Sequence, residues 1–202
     1  KRTRARLSRY RTTALRLAAW AALLGTGGGL LLVMAVVCPM NPDRYTAIDA
    51  SGEVLDRSGQ TLQAFLNADE QWCFPRALDE ISPYLVQATV AVEDKRFFAH
   101  HGVDPVAVLR ATIQNLGARR VVSGASTLTM QVVKQSPPES RSLRAKAREA
   151  VEAIRLDARL DKNRILETYL NSAPYGLNLV GGEAASRRYF GKPAKELTIP
   201  AA

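Results

Sequence analysis

Glu93 and Asp94 stand together at the end of an apolar run, and Phe97, Phe98, His100, His101 and Gly102 follow them in the stretch EDKRFFAHHG. A carboxylate at a helix C-terminus, shielded in part by such neighbours, has the makings of a general base. The plain alternative is a helix-end acid paired with Lys95 or Arg96, and residue types alone favour that one. A second cluster, SGASTLTMQ (123–131), puts small hydroxylated residues after a glycine. It reads either as a turn into a helix whose free N–H groups hold an anion or sugar oxygen, or as an ordinary N-cap. In a third, RSLRAKARE (141–149), four cations and one acid open a helix. Phosphate binding is its functional reading and a solvated face its usual one.

The elements that must carry these clusters are mostly helices. Ser82-Pro83 pairs an N-cap residue with proline at the first helical position, which predicts a helix to about Asp94. Asp104-Pro105 repeats the signal, with Val106, Leu109, Ile113 and Leu116 at helical spacing before Gly117 as a stop. Further helices are expected over 126–135, 140–160 (Leu143, Ala147, Ala150, Ile154), 161–171 and 182–189. Residues 54–62 predict a hairpin around Ser58-Gly59, and residues 39–47 read as a polar linker. The body is therefore mainly α with a small β element.

The net charge of +9 suggests nucleic acid until it is located along the chain. Seven basic side chains and no acid fall in residues 1–16, leaving 21 basic against 19 acidic elsewhere, so no nucleic-acid partner is expected. Residues 17–38 then carry no charge. As a helix this run extends about 33 Å, enough for a bilayer core of about 30 Å. The charge bias predicts a cytoplasmic tail (1–16), one transmembrane helix (17–38) and an exported remainder, in an inner membrane. Cys38 and Cys73 form no disulfide framework, and two adjacent histidines do not make a zinc site.

Taken in order, EDKRFFAHHG, GASTLTMQ, RSLRAKARE, KNRILETYLN and YFGK resemble the family 51 glycosyltransferases, the peptidoglycan polymerases of class A penicillin-binding proteins, with GASTLTMQ similar to the 1C type. The match runs from about Ser82 to Leu197. The resemblance implies a lysozyme-like helical glycosyltransferase domain at 81–202, after a linker and small β element at 39–80. It also implies polymerisation of lipid II into β-1,4 glycan strands with inversion and release of undecaprenyl diphosphate. The partners it implies are lipid II, the nascent strand, the membrane and other cell-wall synthesis proteins.

Residue by residue, the resemblance makes Glu93 the catalytic base and Glu149 a second essential carboxylate, with a divalent metal (Mg2+ or Mn2+) conceivable there and no organic cofactor. Arg110, Ser126, Thr127, Gln131, Lys134, Arg141 and Lys146 become substrate-binding residues for the donor and its diphosphate. Asp94, Phe97, His100, Gly102 and Asn171 become supports, as do Lys162, Glu167, Tyr169 and Leu170. Three features depart from the pattern. Met130 stands where the family usually has glutamine, although the 1C type shares it. Ala145 replaces an arginine, with Arg144 on a helix face about 100° away. The chain ends at Ala202 where family members continue, so a truncated, non-catalytic lipid II binder is the alternative expectation. No S-x-x-K or K-T-G motif occurs, so no transpeptidase activity is expected of these residues.

Overall fold

The computed structural model describes residues 39–118, 124–134 and 142–201. The chain divides into units of residues 1–39 and 40–202, and the second is the one described below. The basic tail, the uncharged run with Cys38, and Arg141 lie outside the described residues. Among the described residues no helix is long and apolar enough to cross a membrane.

The architecture is mainly helical. The described helices are α1 (Asp43–Thr46), α2 (Pro83–Glu93), α3 (Pro105–Ala118), α4 (Leu128–Lys134), α5 (Leu143–Asp157), α6 (Lys162–Ser172) and α7 (Gly182–Phe190), with short 3₁₀ turns before α2, between α2 and α3, and after α7. The caps follow the residue chemistry. The Ser82 hydroxyl accepts the Tyr84 N–H ahead of Pro83. Ser142 accepts the Ala145 N–H, and Asp161 accepts the Arg164 N–H. Because Ser142 and Thr127 are spent as caps, α5 and α4 begin later than their periodicity suggests. Helix α3 runs through Gly117 to Ala118 rather than stopping at the glycine.

Strands β1 (Gly52–Leu55) and β2 (Thr61–Phe65) form the expected hairpin, Gly52 opposite Phe65, with a bulge between Val54 and Leu55. Its turn is built by the Asp56 carboxylate, which accepts the N–H groups of Ser58 and Gln60 at 2.8 Å, while Gly59 takes a φ of +82°. A second pair was not legible in the sequence: β3 (Trp72–Cys73) runs parallel to β4 (Leu179–Val180). Two residues are too few for alternation to show.

Helix α4 occupies the centre. Leu128, Thr129, Met130, Val132 and Val133 are all buried, and α5 and α6 pack against it through Ala153, Leu156, Ile165, Leu166 and Leu170. Each large aliphatic buried there contributes about 1.5–3 kcal/mol of apolar transfer. Met130, the departure from the family pattern, is a core residue at 3% exposure, so a thioether suits the position better than a carboxamide. Residues 39–47 are not a plain linker: Met40 and Tyr45 pack on the core, and the Tyr45 hydroxyl donates to Glu152 at 3.2 Å. The apolar residues of α3 face outward instead of inward, with Leu109, Ile113 and Leu116 more than 60% exposed and Ala111 buried.

Candidate active site

The EDKRFFAHHG segment is a buried brace with one exposed acid at its start. Asp94 ends α2, and its carboxylate accepts the Leu128 N–H of α4 at 3.1 Å and meets His100 Nε2 at 3.0 Å. Both side chains are almost fully buried. Phe97 is completely buried, edge-on to Phe98, with the Lys162 ammonium 4.7 Å above its ring. Gly102 has φ +77°, and a Cβ there would stand 2.4 Å from the Ala153 carbonyl oxygen, so the loop can approach α5 only through a glycine. The Thr127 hydroxyl donates to the Gly102 carbonyl at 2.5 Å and accepts the Met130 N–H at 3.2 Å. The end of α2, the loop and the start of α4 are thus tied together by groups withdrawn from water.

This arrangement favours the N-cap reading of SGASTLTMQ and corrects the expectation for Glu93. The N-terminal N–H groups of Leu128 and Met130 are taken by Asp94 and Thr127, so they are not offered to an anion. Glu93 is exposed rather than shielded, because it leaves the last turn of α2 on the solvent side. Nor does it follow the plain helix-end reading: Arg96 pairs with Asp104 at 3.4 Å, and Glu93 Oε2 accepts from Gln131 Nε2 at 2.8 Å. Gln131 Oε1 in turn receives the Tyr169 hydroxyl at 3.5 Å. Burial, with the Glu93 charge adding to it, pushes the Tyr169 phenol up to about 12 and raises that of Tyr175 as well.

A second constellation joins the other two motifs. Lys146 Nζ donates to Ser126 Oγ at 2.6 Å and to Glu149 Oε2 at 3.3 Å. It is a solvent-accessible cation bracketed by a hydroxyl and a carboxylate, suited to an oxyanion that replaces one of them. Arg110 and Lys134 are exposed, on α3 and at the end of α4. Asn171 is spent structurally: its carboxamide accepts the Arg76 N–H at 2.9 Å and donates to the Arg76 and Glu167 carbonyls. Glu167 accepts the Leu78 N–H at 3.0 Å. Among the described residues no group of three or more acidic, histidine or cysteine side chains could hold a metal, and Glu149 faces Lys146.

Sequence reasoning missed a charged cluster away from these groups. Glu183, 2% exposed, pairs with Arg187 at 2.7 Å and Arg76 at 3.5 Å and accepts the Ala194 N–H; Glu53 of β1 completes it through Arg187. The i,i+4 spacing of Glu183 and Arg187 was its one visible sign.

A family model described as Transglycosylase matches residues 58–202. Penicillin-binding protein 1C of Escherichia coli (strain K12) is 40% identical over 145 residues, which cover 72% of this chain and 19% of that protein. Penicillin-binding protein 1A of Aquifex aeolicus is 37% identical over 85% of this chain and 24% of its own length. A biosynthetic peptidoglycan transglycosylase of Rhodospirillum centenum is 46% identical over 132 residues, 64% of this chain and 55% of that protein. The chain therefore spans about a fifth to a quarter of the penicillin-binding proteins and about half of the transglycosylase.

Proposed function

The chain belongs to the transglycosylase family, and from that premise we propose that it polymerises lipid II into β-1,4-linked glycan with release of undecaprenyl diphosphate. The observation that carries this reading is the pairing of an exposed, hydrogen-bonded carboxylate with a separate cationic group. Glu93 Oε2 is held by Gln131, which leaves Oε1 for the proton of the acceptor sugar's 4-hydroxyl. As that oxygen bonds to the donor's anomeric carbon, the proton passes to Glu93 and the C1–O bond to the diphosphate breaks. Attack from the opposite face turns an α-linked donor into a β-linked product. The departing diphosphate gains negative charge, and Lys146, already paired with Ser126 and Glu149, receives it in this reading. Arg110, Lys134 and Arg141 supply further positive charge in this reading. Glu149 holds Lys146 in place until the phosphate oxygens take over.

The finer features of the proposal are a lysozyme-like domain, an anchor formed by residues 17–38 with the basic tail in the cytoplasm, and work at the outer face of the inner membrane. An amphiphilic substrate with its diphosphate at the bilayer surface suits a tethered enzyme.

The test is glycan formation from lipid II in detergent micelles by the 202-residue chain and its Glu93→Gln variant. Glutamine keeps the shape but cannot take the proton, so polymer should fall by about 10²–10⁴ while lipid II binding persists. Equal polymerisation by both proteins would overturn the assignment of the base.

A further inference from the structure

Gln131 sits between two groups of opposite demand. Its Nε2 donates to the Glu93 carboxylate at 2.8 Å, and its Oε1 receives the Tyr169 hydroxyl at 3.5 Å. The second distance is long for a hydroxyl donor. Tyr169 belongs to α6 and is only 8% exposed, with its ring in the same apolar cluster as Leu128, Met130 and Leu166. Helices α4 and α6 pack directly on each other, so the phenol is a fixed point in the rigid part of the fold. Glu93 is the opposite case, an exposed carboxylate on the last residue of α2.

We propose that Tyr169 is a positioning residue that acts on Glu93 through the Gln131 carboxamide. An unanchored glutamine is a rotor. It can turn its carbonyl toward the carboxylate, which repels it, or swing away into solvent. A hydroxyl held in the core at the far side of the amide favours the one orientation that gives each end an opposite partner. The carboxylate oxygen nearest Gln131 is then held from the core rather than from the surface, and the other oxygen keeps a constant direction. With its phenol pushed up to about 12, Tyr169 stays a protonated donor across the whole working range. The ring fills core volume, which phenylalanine would also do; the hydroxyl is the part with the positioning task.

This inference rests on Glu93 being the base, so the experiment has one arm that needs turnover and one that does not. The arm without turnover follows the Gln131 side-chain amide resonances of the full chain, isotope-labelled in micelles and assigned from a Gln131→Met variant, while pH is taken through the Glu93 titration. The expected result is that the amide shifts follow that titration in the wild type and lose half or more of the response in Tyr169→Phe. An undiminished response in Tyr169→Phe overturns the proposal.

The kinetic arm compares Tyr169→Phe in the wild-type and Gln131→Met backgrounds. In the first, kcat should fall roughly 5- to 10-fold, the scale of one neutral hydrogen bond, with KM unchanged. In the second, the same substitution should change kcat less than about twofold, because the intermediary is gone. Equal losses in both backgrounds would mean ordinary core damage and would also overturn the proposal. A wild type that forms no glycan would count against the functional reading, and the resonance arm would still decide on Tyr169.

Discussion

The two halves of the candidate site are built from different material. Around Glu93 the brace is buried, in Asp94, His100, Phe97, Thr127 and the close approach at Gly102, and the half-buried Gln131 reaches from it to the carboxylate. Around Lys146 the partners are surface side chains, with Ser126 exposed and Lys146 itself 46% exposed. The difference suits the two tasks. A proton acceptor must point at one atom, and misplacement by an ångström is costly, so its brace belongs to the core. A cation that receives a diphosphate must exchange partners as charge develops, which exposed pairs worth little to stability can do.

The largest effect that would sharpen this contrast is on folding stability. Asp94→Ala leaves the Leu128 N–H and His100 without their carboxylate inside the core, and should cost about 3–5 kcal/mol in urea unfolding. A loss below about 1 kcal/mol would show that the brace is not structural. Gly102→Ala comes next: the positive φ and the 2.4 Å approach to Ala153 should together cost about 2–4 kcal/mol, measured the same way. Lys146→Ala should do the reverse. Its affinity for a lipid diphosphate, measured in micelles, should fall by about 1–3 kcal/mol, while stability moves by less than about 0.5 kcal/mol. A large drop in stability would erase the contrast.

The smallest effect concerns a group that belongs to neither half. Burial pushes the Cys73 thiol up from its ordinary 9.0 to about 11, with Asp49 adding to the rise. The folded state therefore holds this proton more tightly than the unfolded chain. The associated stability is complete below about pH 9 and is lost as pH rises toward about 11. Chemical unfolding at pH 8 and pH 10.5 should show the decline, and Cys73→Ala should flatten it. A thiol reagent at pH 8 should modify Cys73 in denaturant and spare it in the native protein.

Much of the helical framework was legible because its signals are local. Ser82-Pro83, Asp104-Pro105 and Asp161 mark helix starts through hydrogen bonds made within a few residues, and the Ser58-Gly59 turn is equally short-range. The hydrophobic period of α3 announced a helix, yet it did not say which way the stripe would face; Leu109, Ile113 and Leu116 point to solvent. The parallel β3–β4 pair and the Glu53–Arg76–Glu183–Arg187 cluster join positions about a hundred residues apart, and no window of sequence contains both partners.

The same division runs through the site. The family resemblance marked Glu93, Gln131, Lys146 and Glu149 as candidates, where residue types alone left plainer readings ahead. The fold then decided that Asp94 caps α4 from inside the core. It also spent Asn171 on the Arg76 backbone, made Met130 core, and set the Tyr169 hydroxyl against Gln131. Side-chain type sets what a group can do. Which neighbour removes its water and fills its hydrogen bonds is set by packing between segments distant in the chain, and that appears only when they meet.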